Sequence, residues 1–170
     1  MKQLLIRYVS DLDFSENLDK AKQEYTEGDY KSIVFHIYSG VLDEQLLVAL
    51  SKRISDSFGT DMIAGTISAG EIKNGKLMDR GVLISVMMFE TADVRMYRYE
   101  NAGGKESEIG RAICTLTDNT DHAKGLELML PGTNLHTRQL FEEISKCDRS
   151  VQVFGGYAGG HSMESSEHFV

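Results

Sequence analysis

Proline is nearly absent from this chain of 170 residues, occurring once, at Pro131. Average usage of about 5% would supply roughly eight, so proline-rich linkers and collagen-like repeats are excluded. Cysteine is almost as scarce, with Cys114 and Cys147 the only two. They lack CxxC spacing and are expected as buried small hydrophobes in a reducing compartment. Long apolar runs are missing too. The longest, Val82 to Phe89 broken by Ser85, falls far short of the ~20 residues a membrane helix needs. The opening stretch MKQLLIRYVSD is too short in apolar length for a signal peptide. No membrane partner is expected, and the cytoplasm is the expected location. Basic runs are absent as well. Lys and Arg number 18 against 26 Asp and Glu, a formal net charge of -8. The nearest basic pair, Lys52-Arg53, lies on a helix bounded by acids. A field of that sign repels phosphate backbones and anionic headgroups, which excludes nucleic acid as a partner.

What remains is an ordinary globular composition, 41% apolar and 26% charged. The length suits one domain spanning 1–170, and a core of that size buries roughly 70% of the unfolded surface without a disulfide or metal staple.

Strand and helix periods alternate along the chain. Leu4, Ile6 and Tyr8 share one side of a strand over 3–9. Leu18, Ala21 and Tyr25 recur at helical spacing after a candidate cap at Ser15, and Gly28 stops that helix. Ile33 to Tyr38 reads as a strand ending at Ser39-Gly40. Leu46, Leu47, Leu50, Ile54 and Phe58 form a helical stripe between a cap at Asp43 and a stop at Gly59. Met62 to Ile67 is a short strand flowing into a glycine turn. Val82 to Phe89, apolar on both faces, reads as a central strand, and Thr91-Ala92-Asp93 is expected to turn it into a partner over Val94–Tyr99. Ile109, Ala112, Ile113 and Leu116 make a third helical stripe, Leu126 to Leu130 a buried strand, and Leu140, Phe141, Ile144 and Cys147 a fourth helix capped at Thr133 or Asn134. Val151 to Phe154 is a last short strand before a glycine cluster at 155–160. These units predict an α/β fold: a mixed sheet with parallel strand–helix–strand units, a central hairpin and helices packed on the sheet. The polar segment before His168-Phe169-Val170 regains apolar character only at its last two residues. An unfinished sheet with an exposed edge is expected there, favouring a homodimer.

Motifs with chemistry are few. Gly70-Glu71-Ile72-Lys73-Asn74-Gly75-Lys76 has P-loop spacing, but Leu77 stands where Mg²⁺ needs Ser or Thr, and a strand rather than a helix follows. A hairpin turn at Asn74-Gly75 is the better reading. Ser68 lacks the preceding glycine and following helix of a nucleophile elbow, Thr66 standing in the glycine's place. Cys114, on an apolar helical stripe, reads as core rather than nucleophile. His36 and His136 read as packed or solvated. His161, Glu164, Glu167 and His168 have the residue types of a metal site without its frame, so neither metal nor cofactor is expected. Two glycine-rich turns, Thr66–Glu71 and Gly155–Gly160, each follow a strand, where open α/β sheets place ligand crevices.

Ile63-Ala64-Gly65-Thr66-Ile67-Ser68-Ala69-Gly70-Glu71-Ile72 resembles the G-C-S-T-A-G-E-I signature of the FIST sensory domain. Gly155-Gly156-Tyr157-Ala158-Gly159-Gly160 is similar to that family's G-G-x-A-G-D turn. Thr66 stands where the family has cysteine, Ile67 where it has a small polar residue, Ser68 where it has threonine, and Gly160 where it has aspartate. The resemblance implies the N-terminal part of a sensory module without catalysis, binding a small amino-acid-like ligand and joined on a longer chain to a companion and a signalling output domain. The ligand-binding residues it implies are Thr66, Ser68, Ala69, Gly70, Glu71, Gly155, Gly156, Ala158 and Gly159. The amides near Gly70 and Gly156 are expected to meet the ligand's carboxylate, and Glu71 its ammonium. The rivals are an interaction module without a ligand, and a small hydrolase or transferase using Ser68 or Cys114.

Overall fold

A computed structural model describes residues 1–78, 80–100, 102–147, 150–159 and 168–169, the last two by backbone alone. The elements in chain order are β1 (Lys2–Arg7), α1 (Asp11–Glu27), β2 (Ser32–Ser39), α2 (Glu44–Phe58), β3 (Ile63–Ile67), β4 (Glu71–Lys73), β5 (Lys76–Met78), β6 (Val82–Phe89), α3 (Glu106–Asp118), β7 (Gly125–Leu130), α4 (Thr137–Ile144), β8 (Gln152–Tyr157) and β9 (His168–Phe169). They divide into two compact units, Met1–Met96 together with the chain from Gly159 onward, and Tyr97–Ala158.

The first unit is built on a five-stranded sheet in the order β1-β6-β2-β3-β9. β2 and β3 run parallel through α2, while β6 lies antiparallel between β1 and β2. The sheet is thus mixed, with the strand–helix–strand units that the periodicity implies. Phe14, Leu18 and Ala21 of α1 and Leu47, Leu50 and Ile54 of α2 pack on one face, against Ile33, Phe35 and Ile37 of β2 and Val82, Ile84, Val86 and Met88 of β6. Arg53 pairs with Asp11 and lies 4.8 Å over the Phe14 ring, fastening the two helices together. His36, on the other face of β2, is buried, its Nδ1 3.2 Å from the Tyr38 hydroxyl.

In the first unit helix ends follow local chemistry, with one correction. Asp43 accepts the Leu46 N–H to open α2, and Gly59, at φ +63°, closes it. α1 starts earlier than Ser15: Ser10 is its cap, accepting the Asp13 N–H, and Asp11 and Asp13 complement the positive end of the helix. Ser15 instead returns its hydroxyl to the Asp11 carbonyl inside the helix. No strand forms over 94–99. β6 already has β1 on one edge and β2 on the other, so neither edge is open to a further partner. The hairpin that does form is β4–β5, turning at Asn74 (φ +52°) and Gly75 (φ +74°), the left-handed pair that a two-residue turn requires.

In the second unit α3 and α4 share a core of Ile113, Leu140 and Ile144 with Leu126, Leu128 and Leu130 of β7, which pairs in parallel with β8. A Cβ on Gly110 would sit 2.6 Å from the Glu143 Cβ and 2.9 Å from the Leu140 carbonyl, so its absence lets the helices approach closely. One turn further along α3, that approach brings Cys114 to Cys147. The two are joined as a disulfide with Cα atoms 4.9 Å apart, which corrects their reading as free core thiols. α4 ends at Ile144, and Cys147 lies in the turn after it, while His136 rather than Thr133 or Asn134 occupies the cap position.

Candidate ligand site

The parallel pair β2–β3 ends in two polar turns. Ser68 continues the ladder past β3, donating its N–H to the Ser39 carbonyl (2.8 Å). The Ser39 hydroxyl donates to the Val41 carbonyl (2.6 Å), closing the turn after β2. Gly40 donates its N–H to the Gly81 carbonyl (2.8 Å). A Cβ on Gly40 would lie 3.0 Å from the Arg80 Cα, so the 39–41 and 80–81 turns need glycine to touch.

Within this frame Ser68 and Glu71 form a pair. The Ser68 hydroxyl donates to Glu71 Oε1 at 2.6 Å and accepts the Gly70 N–H at 3.3 Å. The short contact is that of a charge-assisted hydrogen bond. Glu71 is 4% exposed, and its Oε2 has no hydrogen-bond partner among the described residues. A Cβ on Gly81 would lie 3.6 Å from that oxygen, so Oε2 faces the glycine backbone. Leaving a buried acceptor unmatched costs about 1–3 kcal/mol. A ligand bearing a cationic donor would remove that cost.

A second enclosed carboxylate, Glu106, differs. It lies in the first turn of α3 and its Oε1 accepts the His136 N–H (2.9 Å). That amide, then Glu106's own and that of Gly104, hold its pKa below the ordinary carboxylate value. Although its Oε2 lacks a hydrogen-bond partner within ordinary geometry, the N–H groups at the helix start favour its charge. Glu106 is a latch between two loops. Glu71 opens a strand and has no helix end to offset its charge.

The expected site residues separate into two groups. Ser68, Gly70, Glu71 and Gly159 come together in the first unit, where Gly159 donates its N–H to the Ile67 carbonyl (2.9 Å). Thr66 is half-buried near the end of β3, and Ala69 is exposed at the turn. Gly155, Gly156 and Ala158 belong to the second unit. Gly155 and Gly156 continue β8 rather than forming a turn. Gly155 has φ +132°, and a Cβ there would sit 2.0 Å from the Leu128 carbonyl oxygen, so this glycine serves the approach of β7. Ala158 spends its N–H on the Leu130 carbonyl. Ser39, Gly40 and Gly81 were not among the expected site residues. Their only signal is a Ser-Gly step ending a strand beside the signature strand.

Ser68 leads from β3 into a hairpin, not a helix, and its hydroxyl donates a hydrogen bond to Glu71, so the nucleophile-elbow geometry is absent there. His161, Glu164 and Glu167 lie outside the described residues, and His168 is described by backbone alone. No cluster of three or more metal-ligating side chains occurs among the described residues. No described helix is long and apolar enough to cross a membrane.

Open α/β sheets place their ligand crevices outside the carboxyl ends of parallel strands, and the turns after β2 and β3 lie at those ends. The chain belongs to the FIST N domain family, which matches it over residues 33–170. FIST domains are sensory, signal-transduction domains and not an enzyme family. No match to a curated protein or to a solved structure was found.

Proposed function

We propose that the chain is a cytoplasmic sensory input module that binds a small amino-acid-like metabolite at the Ser68–Glu71 turn, without catalysis of its own. The observation that carries this reading is the buried Glu71 carboxylate, with Oε1 held by Ser68 and Oε2 unmatched among the described residues. A protonated amine supplies what Oε2 lacks. Thr66, Ala69 and Gly70 line the same turn, and backbone N–H groups there suit the ligand's carboxylate. Gly155 and Ala158 drop out of the binding set, because the contacts described above commit them to β7.

Signalling requires that binding reach another segment. β9 pairs antiparallel with β3, Thr66 opposite His168 and Gly65 opposite Phe169. The strand that carries the ligand turn is therefore hydrogen-bonded to the strand that would lead to an output domain on a longer chain. The five-stranded sheet ends in β1 and β9, and these edges are where two copies would pair. A second reading, an interaction module without ligand, rests on β8, whose Val153, Phe154 and Tyr157 are all exposed. A thermal-shift screen of amino acids and small amines separates the two readings. A ligand at about a hundredfold its Kd stabilises the fold by about 2.7 kcal/mol, and the absence of any shift across the screen would favour the interaction module.

A further inference from the structure

We propose that Cys114 and Cys147 form a reversible thiol–disulfide exchange site that sets the state of the α3–α4 face of the second unit. The inference stands apart from the ligand turn, which lies in the other unit. These two residues are the whole thiol content of the chain, so neither has another cysteine of the chain to pair with. Their Cα separation of 4.9 Å is within the span a disulfide bridges. Both are half-buried rather than sealed in the core, which leaves the bond open to reagents. Cys147 also lines an open, mainly apolar groove of about 500 Å³ with Thr117, Phe141, Ile144, Val151 and Val153.

The exchange runs through that groove. The thiolate of a small monothiol such as glutathione attacks the Cys147 Sγ, a mixed disulfide forms, and the Cys114–Cys147 bond breaks with Cys114 leaving as a thiolate. A second such thiolate then attacks the small thiol's sulfur in the mixed disulfide and releases Cys147. Two electrons pass from the two small thiols to the cystine, two protons end on the two cysteines, and the small thiols depart joined as their disulfide. A small-molecule disulfide drives the reverse. The reduced state has an acceptor in place, because the Glu143 carbonyl lies 3.3 Å from the Cys114 Sγ and can take the thiol hydrogen.

The consequence follows from what the bond holds. It is the covalent tie between α3 and the turn after α4, in a unit whose apolar core among the described residues is small, with Ile113, Leu140 and Ile144 clustered and Val151 and Ala158 buried besides. Ile144, Ser145 and Cys147 form one wall of the groove. Breaking the tie frees that wall while α3 stays packed on β7.

The test uses the native chain, equilibrated in glutathione buffers of varied reduced-to-oxidised ratio, alkylated and weighed. Two thiols should appear together as the ratio rises and vanish together when oxidised glutathione is restored. Hydrogen exchange over 141–147 and 151–157 should quicken by about tenfold or more in the reduced chain, with β2 and β6 unchanged. Cys114→Ser should reproduce the reduced pattern without any reductant. If that variant does not fold, the titration of the native chain decides alone. Double alkylation in oxidised glutathione, resistance to excess reduced glutathione, or identical exchange in both states would each overturn the proposal.

Discussion

At Gly155 a single hydrogen stands where any other side chain would meet the Leu128 carbonyl oxygen at 2.0 Å, with φ at +132°. Gly155→Ala should therefore destabilise the second unit by about 2 kcal/mol or more. Gly156 has nothing within 4 Å of its missing Cβ, so Gly156→Ala should stay within about 0.5 kcal/mol of the native chain. Denaturant unfolding of the two variants checks the contrast, and equal losses would mean that β8 is placed incorrectly against β7. Glu106 supplies a pH dependence with a definite sign. Its pKa is lowered on folding, first by the His136 amide. The stability it contributes is fully present above the ordinary carboxylate value of 4.5 and is lost as pH falls through its lower folded value. Glu106→Gln keeps an oxygen for the His136 N–H but removes the charge, so its acid-unfolding curve should be flatter than the native one below about pH 4.5. Superimposable slopes would remove Glu106 from the acid response.

Helix α2 shows how far element-level patterns reach. Leu50 is 1% exposed, at the centre of the stripe that its spacing predicts. Leu50→Ala should cost about 2–5 kcal/mol, and Asp43→Ala about 1 kcal/mol through loss of the cap. A Leu50→Ala loss below about 0.5 kcal/mol, the surface range, would show that this face is not core. All four helices and β1, β2, β3 and β6 are legible in the sequence, the helices and β1 because one side of each is apolar at a regular period, the other strands as short apolar runs, whereas β4 and β5 show only as the turn at Asn74-Gly75 between them. What was not legible has physical causes. A strand over 94–99 is a fair reading of Val94, Met96 and Arg98 alone, but pairing depends on an open edge, and β6 has none. The Cys114–Cys147 link is invisible along the chain because Gly110, four residues before Cys114, is what brings α3 onto α4. The glycines at 155 and 156 read as a turn because the role of Gly155, yielding room to the Leu128 backbone, leaves no periodic trace.

On the scale of the whole chain, the family was legible from short signatures at 63–72 and 155–160, and the FIST N domain match spans 33–170. The turn proposed to bind a ligand was legible in part. Ser68, Gly70 and Glu71 stand in the signature itself, whereas Ser39 and Gly40 join them because β2 and β3 run parallel and end together, and Gly81 because β6, antiparallel to β2, starts opposite Ser39. Each compact unit carries a different proposal, a ligand turn in the first and an exchangeable cystine in the second, so the two can fail separately. The central claim is that Glu71 receives a ligand's ammonium. Its most direct test is calorimetry of the best amine-bearing compound from the screen on the native chain, Glu71→Gln and Ser68→Ala. Losing a charged hydrogen bond costs about 1.5–3 kcal/mol, or one to two decades of affinity. Glu71→Gln should weaken binding by about 10- to 100-fold, and Ser68→Ala by less, with both variants folded by circular dichroism. Unchanged affinity in folded Glu71→Gln, or no binding of any amine to the native chain, would contradict the claim.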